Sequence, residues 1–478
     1  MTTHPFLGRL DELRKLKELQ KKSSASLVIL QGRRRVGKSR LIEEFAKNQR
    51  YYRLTGIAPG QDSDDQAQRD EFARQMGEQG GLSGLRSGNW GDLFTLLAKQ
   101  TEEGRVVILF DEISWMGSKD PTFLGKLKNA WDTQFSKNPK LMLILCGSVS
   151  SWIQKNIISS TAFLGRPSLY LTLDELPLKD CSAFWGKREQ STSVYEKLKS
   201  LSVTGGVPWY LELMDPRLEA EENIRRLCFS PDGALFNEFD RIFSDIFGRR
   251  SEIYRKIVSH LVLGSANLND LLTHSEKAKT GDFSAYLNDL VLAGFVSRDY
   301  TWHLASGELS KLSSYRLKDN YVRFYLKYIQ PNRGRIEKKA FEKTSLASLP
   351  GWETMLALQF ENLVINNARE LINLLGTPLD EVVFFNPFFQ RKTKRQSGCQ
   401  IDLLIQTKFN TLYLCEIKFS KHKVPSSIID DVRKKVARLK IPKHFSYRPV
   451  LIHVNGVDED VAESGFFSDI INFQDFLT

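Results

Sequence analysis

The sequence predicts an α/β protein that opens with a parallel sheet, and three apolar segments support this prediction. Residues 27–30, 105–110 and 141–146 are short runs dominated by branched apolar side chains, without the polar alternation of a half-exposed strand. Such runs are typical of strands that helices cover on both faces. Glycine, acidic or hydroxyl residues follow each run, at the strand end where open α/β sheets bind their ligands.

The first of these runs leads directly into a phosphate-binding loop. Residues 32–39 read Gly-Arg-Arg-Arg-Val-Gly-Lys-Ser, and an amphipathic helical pattern follows. Gly32 and Gly37 allow the backbone N–H groups and the helix N-terminus to point at phosphates. Lys38 is expected to reach the outer phosphates, and the Ser39 hydroxyl to take a magnesium position. The loop therefore predicts that the chain binds ATP or GTP together with Mg²⁺.

The second run ends in Asp111-Glu112, which supplies the acidic partner that such a loop requires. Asp111 is expected to hold the magnesium ion, and Glu112 to be the base that orients the attacking water. An acidic pair at a strand end is common by itself, so the prediction depends on its pairing with the loop. Together the two motifs predict nucleotide hydrolysis.

Two further residues are weaker candidates for nucleotide contact. Ser148 follows the third run and could sense the γ-phosphate, although a helix N-cap is an equally good interpretation. Arg166 follows a glycine turn and could stabilise phosphate charge in its own subunit or in a neighbouring copy. A surface arginine in a turn is the plainer interpretation of Arg166.

These motifs, taken with an N-terminal Gly8-Arg9 box and a turn of two glycines before Pro208, resemble a known family. They look like the prokaryotic AAA-related ATPases of the STAND-like group, in the subfamily described as archaeal-type. The resemblance extends from the N-terminus to the neighbourhood of Tyr325. It implies ATP over GTP, and it assigns Gly8, Arg9 and Pro208 to the pocket of the adenine base. It also implies that assembly into a homo-oligomer could control turnover.

Charge indicates an anionic partner. The 478 residues carry a net charge of +11, and basic residues are concentrated in segments 391–395 and 418–443. Nucleic acid, with DNA favoured, is the usual partner of a basic protein of this kind, and a merely solubilising surface is the alternative. The opening residues do not resemble a signal peptide and no apolar run is long enough for a membrane span, so a cytoplasmic protein is expected.

A middle module is predicted to be a winged helix-turn-helix. Three helical patterns are followed by two strand-like segments, at residues 252–262, 268–274, 283–293, 294–298 and 300–304. In DNA readers of this kind one helix enters the major groove. The third pattern has no basic residue, and only Lys277, Lys279 and Arg298 stand nearby. A structural lid or docking role is therefore favoured over DNA contact.

The last part of the chain holds a second group of chemically active residues. Asp402 lies on one predicted strand, and Glu416 and Lys418 lie two apart on the next, so the latter two point the same way. A hairpin through residues 407–411 can bring Asp402 beside Glu416. Two carboxylates and a lysine on one polar face form a suitable site for a magnesium ion and an activated water.

This arrangement resembles the PD-(D/E)xK nuclease superfamily. The resemblance makes Asp402 and Glu416 metal ligands and Lys418 the residue that stabilises the phosphate or activates the water. Glu361 matches the additional acid that the family often carries on an upstream helix. Ile401 stands where the family nominally has proline, a variation that weakens the match. An alternating strand with solvated charges is the alternative.

The sequence thus predicts a P-loop ATPase domain over 1–215, a helical lid with a winged helix over 216–335, and an α/β restriction-endonuclease-like domain over 336–478. Two functions remain open. In one, ATP binding and hydrolysis regulate a metal-dependent domain that binds or cleaves DNA. In the other, the chain is an ATP-driven switch or scaffold that binds DNA or a protein without cleaving.

Overall fold

The computed structural model describes residues 5–58, 64–81, 84, 86, 88–117, 119–148, 151–274, 283–394 and 396–478. The chain divides into two compact units. The first comprises Met1–Glu175 with Leu292–Gly294, and the second comprises Leu176–Val291 with Phe295–Thr478. The three domains predicted from the sequence remain a prediction. Lys277 and Lys279 lie outside the described residues.

The first unit contains the predicted parallel sheet, which is of the kind typical of P-loop ATPases. Its strands follow the order β2-β3-β4-β1-β5, and every neighbouring pair is parallel. The strands are β1 (Ser26–Gly32), β2 (Arg50–Thr55), β3 (Val106–Asp111), β4 (Leu141–Ser148) and β5 (Leu169–Leu173).

Helices cover both faces of this sheet, which explains the continuous apolar runs. In β1, Leu27 and Ile29 belong to one buried cluster, whereas Val28 and Leu30 belong to another. The helices are α1 (Leu10–Leu19), α2 (Lys38–Ala46), α3 (Asp65–Gly80), α4 (Trp90–Gln100), α5 (Ile113–Met116), α6 (Phe123–Thr133) and α7 (Ser151–Ile153). Because both faces are buried, only the strand ends are available for polar chemistry.

The second unit begins with helices and a small antiparallel sheet. Its helices include α8 (Leu178–Cys181), α9 (Val194–Thr204), α10 (Pro208–Glu212), α11 (Ala220–Cys228), α12 (Glu238–Phe247), α13 (Ser251–His260), α14 (Leu268–His274), α15 (Phe283–Leu292), α16 (Asn320–Phe324) and α17 (Arg333–Glu337). The sheet has the order β6-β8-β7, from β6 (Ala266–Asn267), β7 (Val296–His303) and β8 (Glu308–Leu317).

The two strands predicted at 294–298 and 300–304 are in fact one continuous strand, β7. The sequence prediction left Asp299 outside both strand-like segments. Asp299 is instead buried, and its Oδ2 accepts a hydrogen bond of 3.0 Å from Nε of Arg316 on β8. The partner strand of the hairpin is therefore 308–317, and the identity of this module as a winged helix remains a prediction.

A mixed five-stranded sheet completes the second unit. Its order is β13-β12-β11-β10-β9, with antiparallel pairing from β9 to β11 and parallel pairing from β11 to β13. The strands are β9 (Val382–Gln390), β10 (Cys399–Thr407), β11 (Thr411–Lys418), β12 (Ser446–His453) and β13 (Asp469–Asn472), and the helices are α18 (Trp352–Asn366), α19 (Ala368–Leu374), α20 (Ser427–Arg438) and α21 (Glu459–Glu463).

One apolar cluster explains why the second unit begins before residue 215. Leu198 and Leu201 of α9 belong to the same buried cluster as Leu363 of α18 and Ile452 of β12. The early helices therefore complete the core beneath the mixed sheet. No helix in the described part of the chain combines the length and apolarity that a membrane crossing requires.

Candidate functional sites

The phosphate-binding loop joins β1 to α2, as the sequence predicts. Gly37 precedes α2 with a φ of 88°, in the left-handed region that glycine adopts without a steric penalty. A Cβ added at Gly32 would lie 2.6 Å from the carbonyl oxygen of Leu173 on β5. Backbone geometry therefore requires glycine at both ends of the loop.

Lys38 and Ser39 begin the helix that follows the loop. Lys38 is buried, and its Nζ donates to the carbonyl oxygens of Gly32 at 2.9 Å and Arg33 at 3.1 Å. Ser39 Oγ donates to Asp111 Oδ2 at 2.7 Å. The structure thus brings together the loop hydroxyl and the strand-end carboxylate. A hydroxyl beside a carboxylate is a fitting pair of oxygen ligands for Mg²⁺ next to nucleotide phosphates.

Arg53 is a neighbour of this pair that sequence reasoning missed. Its Nη2 lies 3.0 Å from Asp111 Oδ2, and its Nη1 lies 2.6 Å from Glu43 Oε1. Arg53 belongs to β2, and β2 lies beside β3 in the sheet although the two strands are far apart in the chain. No local motif marks this position, so only knowledge of the strand order could have found it.

Glu112 occupies the turn directly after β3 with a φ of 51°. Burial raises the pKa of its carboxyl group, the charge of Lys38 opposes that rise, and the backbone N–H of Ser148 donates to the same carboxylate. Ser148 therefore contacts the predicted base through its amide. The predicted sensing role of the Ser148 hydroxyl remains a prediction.

The N-terminal Gly8-Arg9 box contacts the phosphate loop. Gly8 and Arg9 both have positive φ, and the Arg9 side chain is buried. Its Nη2 donates to the carbonyl oxygens of Val36 in the loop at 3.2 Å and of Asp174, just after β5, at 2.5 Å. Arg9 thus ties the box to the loop. Pro208 is the first residue of α10 in the second unit, and its role beside the adenine remains a prediction.

The predicted contact of Arg166 with phosphate in its own subunit is corrected by the position of this residue. Ser168, two residues later, donates from its backbone N–H to Leu27 at the start of β1, whereas the phosphate loop follows the end of β1. Arg166 therefore lies near the end of the strands opposite to the end that carries the loop. Its guanidinium is bound to Asp132 by two hydrogen bonds of 2.7 and 2.8 Å. Action on a neighbouring copy remains a prediction.

The second group of predicted residues lies on the mixed sheet, where the predicted hairpin is confirmed. Strands β10 and β11 pair antiparallel, with Leu403 opposite Cys415. The same register continued by one residue places Asp402 opposite Glu416. Asp402 Oδ2 accepts a hydrogen bond of 3.0 Å from the backbone N–H of Ile417. The two carboxylates are therefore neighbours on one sheet face.

Lys435 joins these two carboxylates, and sequence reasoning did not assign it to the site. Its Nζ lies 2.5 Å from Glu416 Oε2 and 3.4 Å from Asp402 Oδ1. Burial lowers the pKa of Lys435, but the two carboxylates raise it above its ordinary value, so the ammonium remains charged. The sequence presented Lys435 only as part of a basic run. Lys418, the predicted lysine, is exposed at the end of β11.

Glu361 on α18 adds a third carboxylate to this group. Burial, and then the charge of Asp402, raise the pKa of Glu361 to about 7, although Arg316 and Arg323 oppose the rise. Burial and Asp402 also raise the pKa of Glu416, whereas Lys435 lowers it. The charge of Asp402 therefore repels that of the two glutamates, and an added cation would relieve that repulsion.

Two of the clustered acids are suitable ligands for a divalent cation. Among the described residues, no group of three or more His, Cys, Asp or Glu side chains is arranged to hold a metal ion. Mg²⁺ is commonly bound by one or two carboxylates, with water and substrate phosphates completing its coordination. Asp402 and Glu416 fit that mode, in which the substrate is part of the site.

Comparison with known proteins decides the class of the first site. Residues 6–214 match a family described as an ATPase domain predominantly from Archaea. This part of the chain is therefore similar to archaeal-type ATPase domains. The chain is 24% identical over 339 residues to an uncharacterized protein of Methanocaldococcus jannaschii, covering 70% of this chain and 72% of that protein.

A solved structure shares the fold of this ATPase-domain protein. A Walker-type ATPase of Pyrococcus abyssi matches with a TM-score of 0.50 and 20% sequence identity, covering 67% of this chain and 96% of the other. At that identity the likeness concerns the fold alone.

Proposed function

We propose that the first unit binds ATP with Mg²⁺ and hydrolyses it. The loop N–H groups, Lys38 and Ser39 would hold the nucleotide and its metal together with Asp111. The metal would neutralise charge on the phosphates and polarise them. Glu112 would take the proton of the attacking water, and the backbone N–H of Ser148 would help to orient that carboxylate.

The contact between Ser39 and Asp111 is the observation that carries this part of the proposal. These residues are 72 positions apart, and their side chains form a direct hydrogen bond of 2.7 Å beside the buried Lys38. Arg9 also binds the loop carbonyl of Val36, which supports a nucleotide pocket built around that loop.

We further propose that the second unit contains a metal-dependent nuclease centre, controlled by the nucleotide state of the first. Asp402 and Glu416 would bind the metal. Glu361 would accept a proton, or a hydrogen bond from a bound water. Lys435, which contacts both acids, is better placed than the exposed Lys418 to stabilise charge on a cleaved phosphodiester. The raised pKa of Glu361 is typical of groups that exchange protons.

A second candidate function rests on the same lysine. Because Lys435 is already ion-paired with Glu416 and Asp402, the cluster could be a structural ion-pair network in an ATP-driven switch that binds DNA or a protein without cutting. Structural networks also perturb pKa values. The two functions differ in whether the acids bind a divalent cation.

The test is cleavage of labelled DNA with Mg²⁺ or Mn²⁺ by wild type, Asp402→Asn and Glu416→Gln, with and without ATP. Single-stranded, duplex and branched substrates are compared, and Mn²⁺ affinity is measured by calorimetry on the same proteins. Asp431→Asn, an exposed acid on α20 paired with Lys434, is the matched control. Loss of both cleavage and Mn²⁺ binding in the two site variants alone supports a nuclease. A wild type that binds no Mn²⁺ and cleaves nothing supports the switch.

A further inference from the structure

A cavity of about 650 Å³ lies in the second unit beside the acid cluster. Its walls come from the small antiparallel sheet, α16, α18, β9, β10 and α20. Glu361 and Lys435, which belong to the proposed nuclease centre, line it. The cavity is therefore the approach to that centre from one side.

The floor of the cavity is cationic and buried. Arg316 and Arg323 line it, and both are at least nine-tenths buried. Within the described residues Arg323 donates to neutral acceptors alone, among them the carbonyl oxygen of Leu317 at 2.8 Å and Oε1 of Gln359 at 3.2 Å. Its buried Nε has no hydrogen-bond partner among the described residues. A buried guanidinium without a carboxylate partner favours an anionic ligand.

The outer part of the cavity carries two more arginines and an aromatic ring. Arg391 and Arg438 are exposed, and neither forms an ion pair within the described part of the chain. Phe389, which is partly exposed, lines the wall beside Arg391. Exposed cations together with an aromatic surface are the elements that bind the backbone and bases of single strands.

The balance of charge among the residues that line the cavity also favours an anionic ligand. Five cationic side chains line the cavity against three acidic ones, Asp270, Asp299 and Glu361. Asp299 is already paired with Arg316. Lys435 is paired with Glu416 and Asp402 behind the wall, which leaves Arg323, Arg391 and Arg438 against Asp270 and Glu361 and therefore a small positive excess.

We propose that this cavity admits a single nucleic-acid strand, with Arg391 and Arg438 holding backbone phosphates at its mouth and Phe389 stacking on a base. The proposal rests on the nuclease function proposed above and names its substrate class. A volume of 650 Å³ equals a cube of roughly 9 Å per side. The two backbones of a duplex are separated by a major groove of ~12 Å, so the cavity is too narrow to hold both strands. A duplex would have to separate or present a frayed end.

The test measures binding apart from cleavage. Fluorescence anisotropy follows 20-nucleotide single-stranded DNA, single-stranded RNA and duplex DNA on the full-length Asp402→Asn protein, without divalent cations and over a range of salt. The same chain carrying Arg391→Gln and Arg438→Gln tests the mouth of the cavity. Arg433→Gln, an exposed α20 arginine that pairs with Asp430 and does not line the cavity, is the matched control.

Single strands are expected to bind more tightly than the duplex. The double substitution should weaken single-strand binding by about tenfold and reduce the slope of log affinity against log salt by about 1.4, because two phosphate contacts are lost. Arg433→Gln should bind as the parent does, and circular dichroism with thermal unfolding of all variants checks that both units are folded. Comparison of DNA with RNA shows which backbone is preferred.

Equal or tighter duplex binding, or single-strand binding that does not change in the double variant, overturns the proposal even if wild type cleaves DNA. Single-strand binding that depends on the two arginines, in a wild type that never cleaves, upholds the strand site and removes the nuclease function instead.

Discussion

The two sites differ in what builds them. The nucleotide site consists mostly of one loop and the ends of strands in one parallel sheet, with glycines that the backbone itself requires. The acid cluster consists of side chains from four separate elements, α18, β10, β11 and α20. A site made by backbone leaves a contiguous motif in the sequence, whereas a site made by packing leaves scattered residues that only the fold brings together.

The largest effect is expected at the proposed base of the nucleotide site. Glu112→Gln retains the shape of the side chain but cannot accept a proton, so ATP turnover should fall by about 10²- to 10⁴-fold. ATP affinity should change little. Phosphate release and equilibrium binding are the two measurements, with the exposed Glu103→Gln as the control. Turnover at the wild-type rate would show that Glu112 is not the base.

Substitution of the loop lysine should weaken ATP binding and not only slow ATP hydrolysis. Lys38→Ala removes a buried ammonium that also holds two loop carbonyls. ATP binding should weaken by about 2 to 4 kcal/mol, or ~30- to ~1,000-fold. Calorimetry measures this effect. Lys47→Ala, at the exposed end of the same helix, is the control, and unchanged affinity in Lys38→Ala would contradict the loop assignment.

The two lysines of the acid cluster can be separated directly. Lys435→Ala should lower metal-dependent cleavage by about 10- to 100-fold and shift the midpoint of a Mn²⁺ titration, because it removes the cation that contacts both acids. Lys418→Ala should have a smaller effect, and Lys434→Ala, which is exposed and paired with Asp431, should have none. A larger loss in Lys418→Ala would restore the assignment made from the sequence.

The smallest effect is expected at Arg166. Its guanidinium is bound to Asp132, near the end of the strands opposite to the phosphate loop. In dilute solution Arg166→Ala should hydrolyse ATP at the wild-type rate per chain. If the rate falls only at high protein concentration, Arg166 acts on a neighbouring copy. A fall at every concentration would contradict the position that the structure gives it.

Sequence reasoning succeeded where chemistry follows local geometry. The parallel sheet, the loop and the β10–β11 hairpin were predictable because strand runs and residue alternation determine them. Asp299 was left outside the predicted strands because its partner, Arg316, reaches it only through the pairing of β7 with β8. Arg53 and Lys435 were missed for a related reason, because each reaches its site through strand order or helix packing and not through spacing.

The central claim is that one chain holds two chemical centres, and a crossed assay tests it most directly. ATP turnover and Mn²⁺-dependent cleavage are measured on wild type, Lys38→Ala and Asp402→Asn. Lys38→Ala is expected to lose turnover and any ATP-dependent part of cleavage, whereas Asp402→Asn is expected to lose all cleavage and keep turnover. Loss of turnover in a folded Asp402→Asn protein, or a wild type that cleaves no nucleic acid with either metal, with or without ATP, would contradict the account.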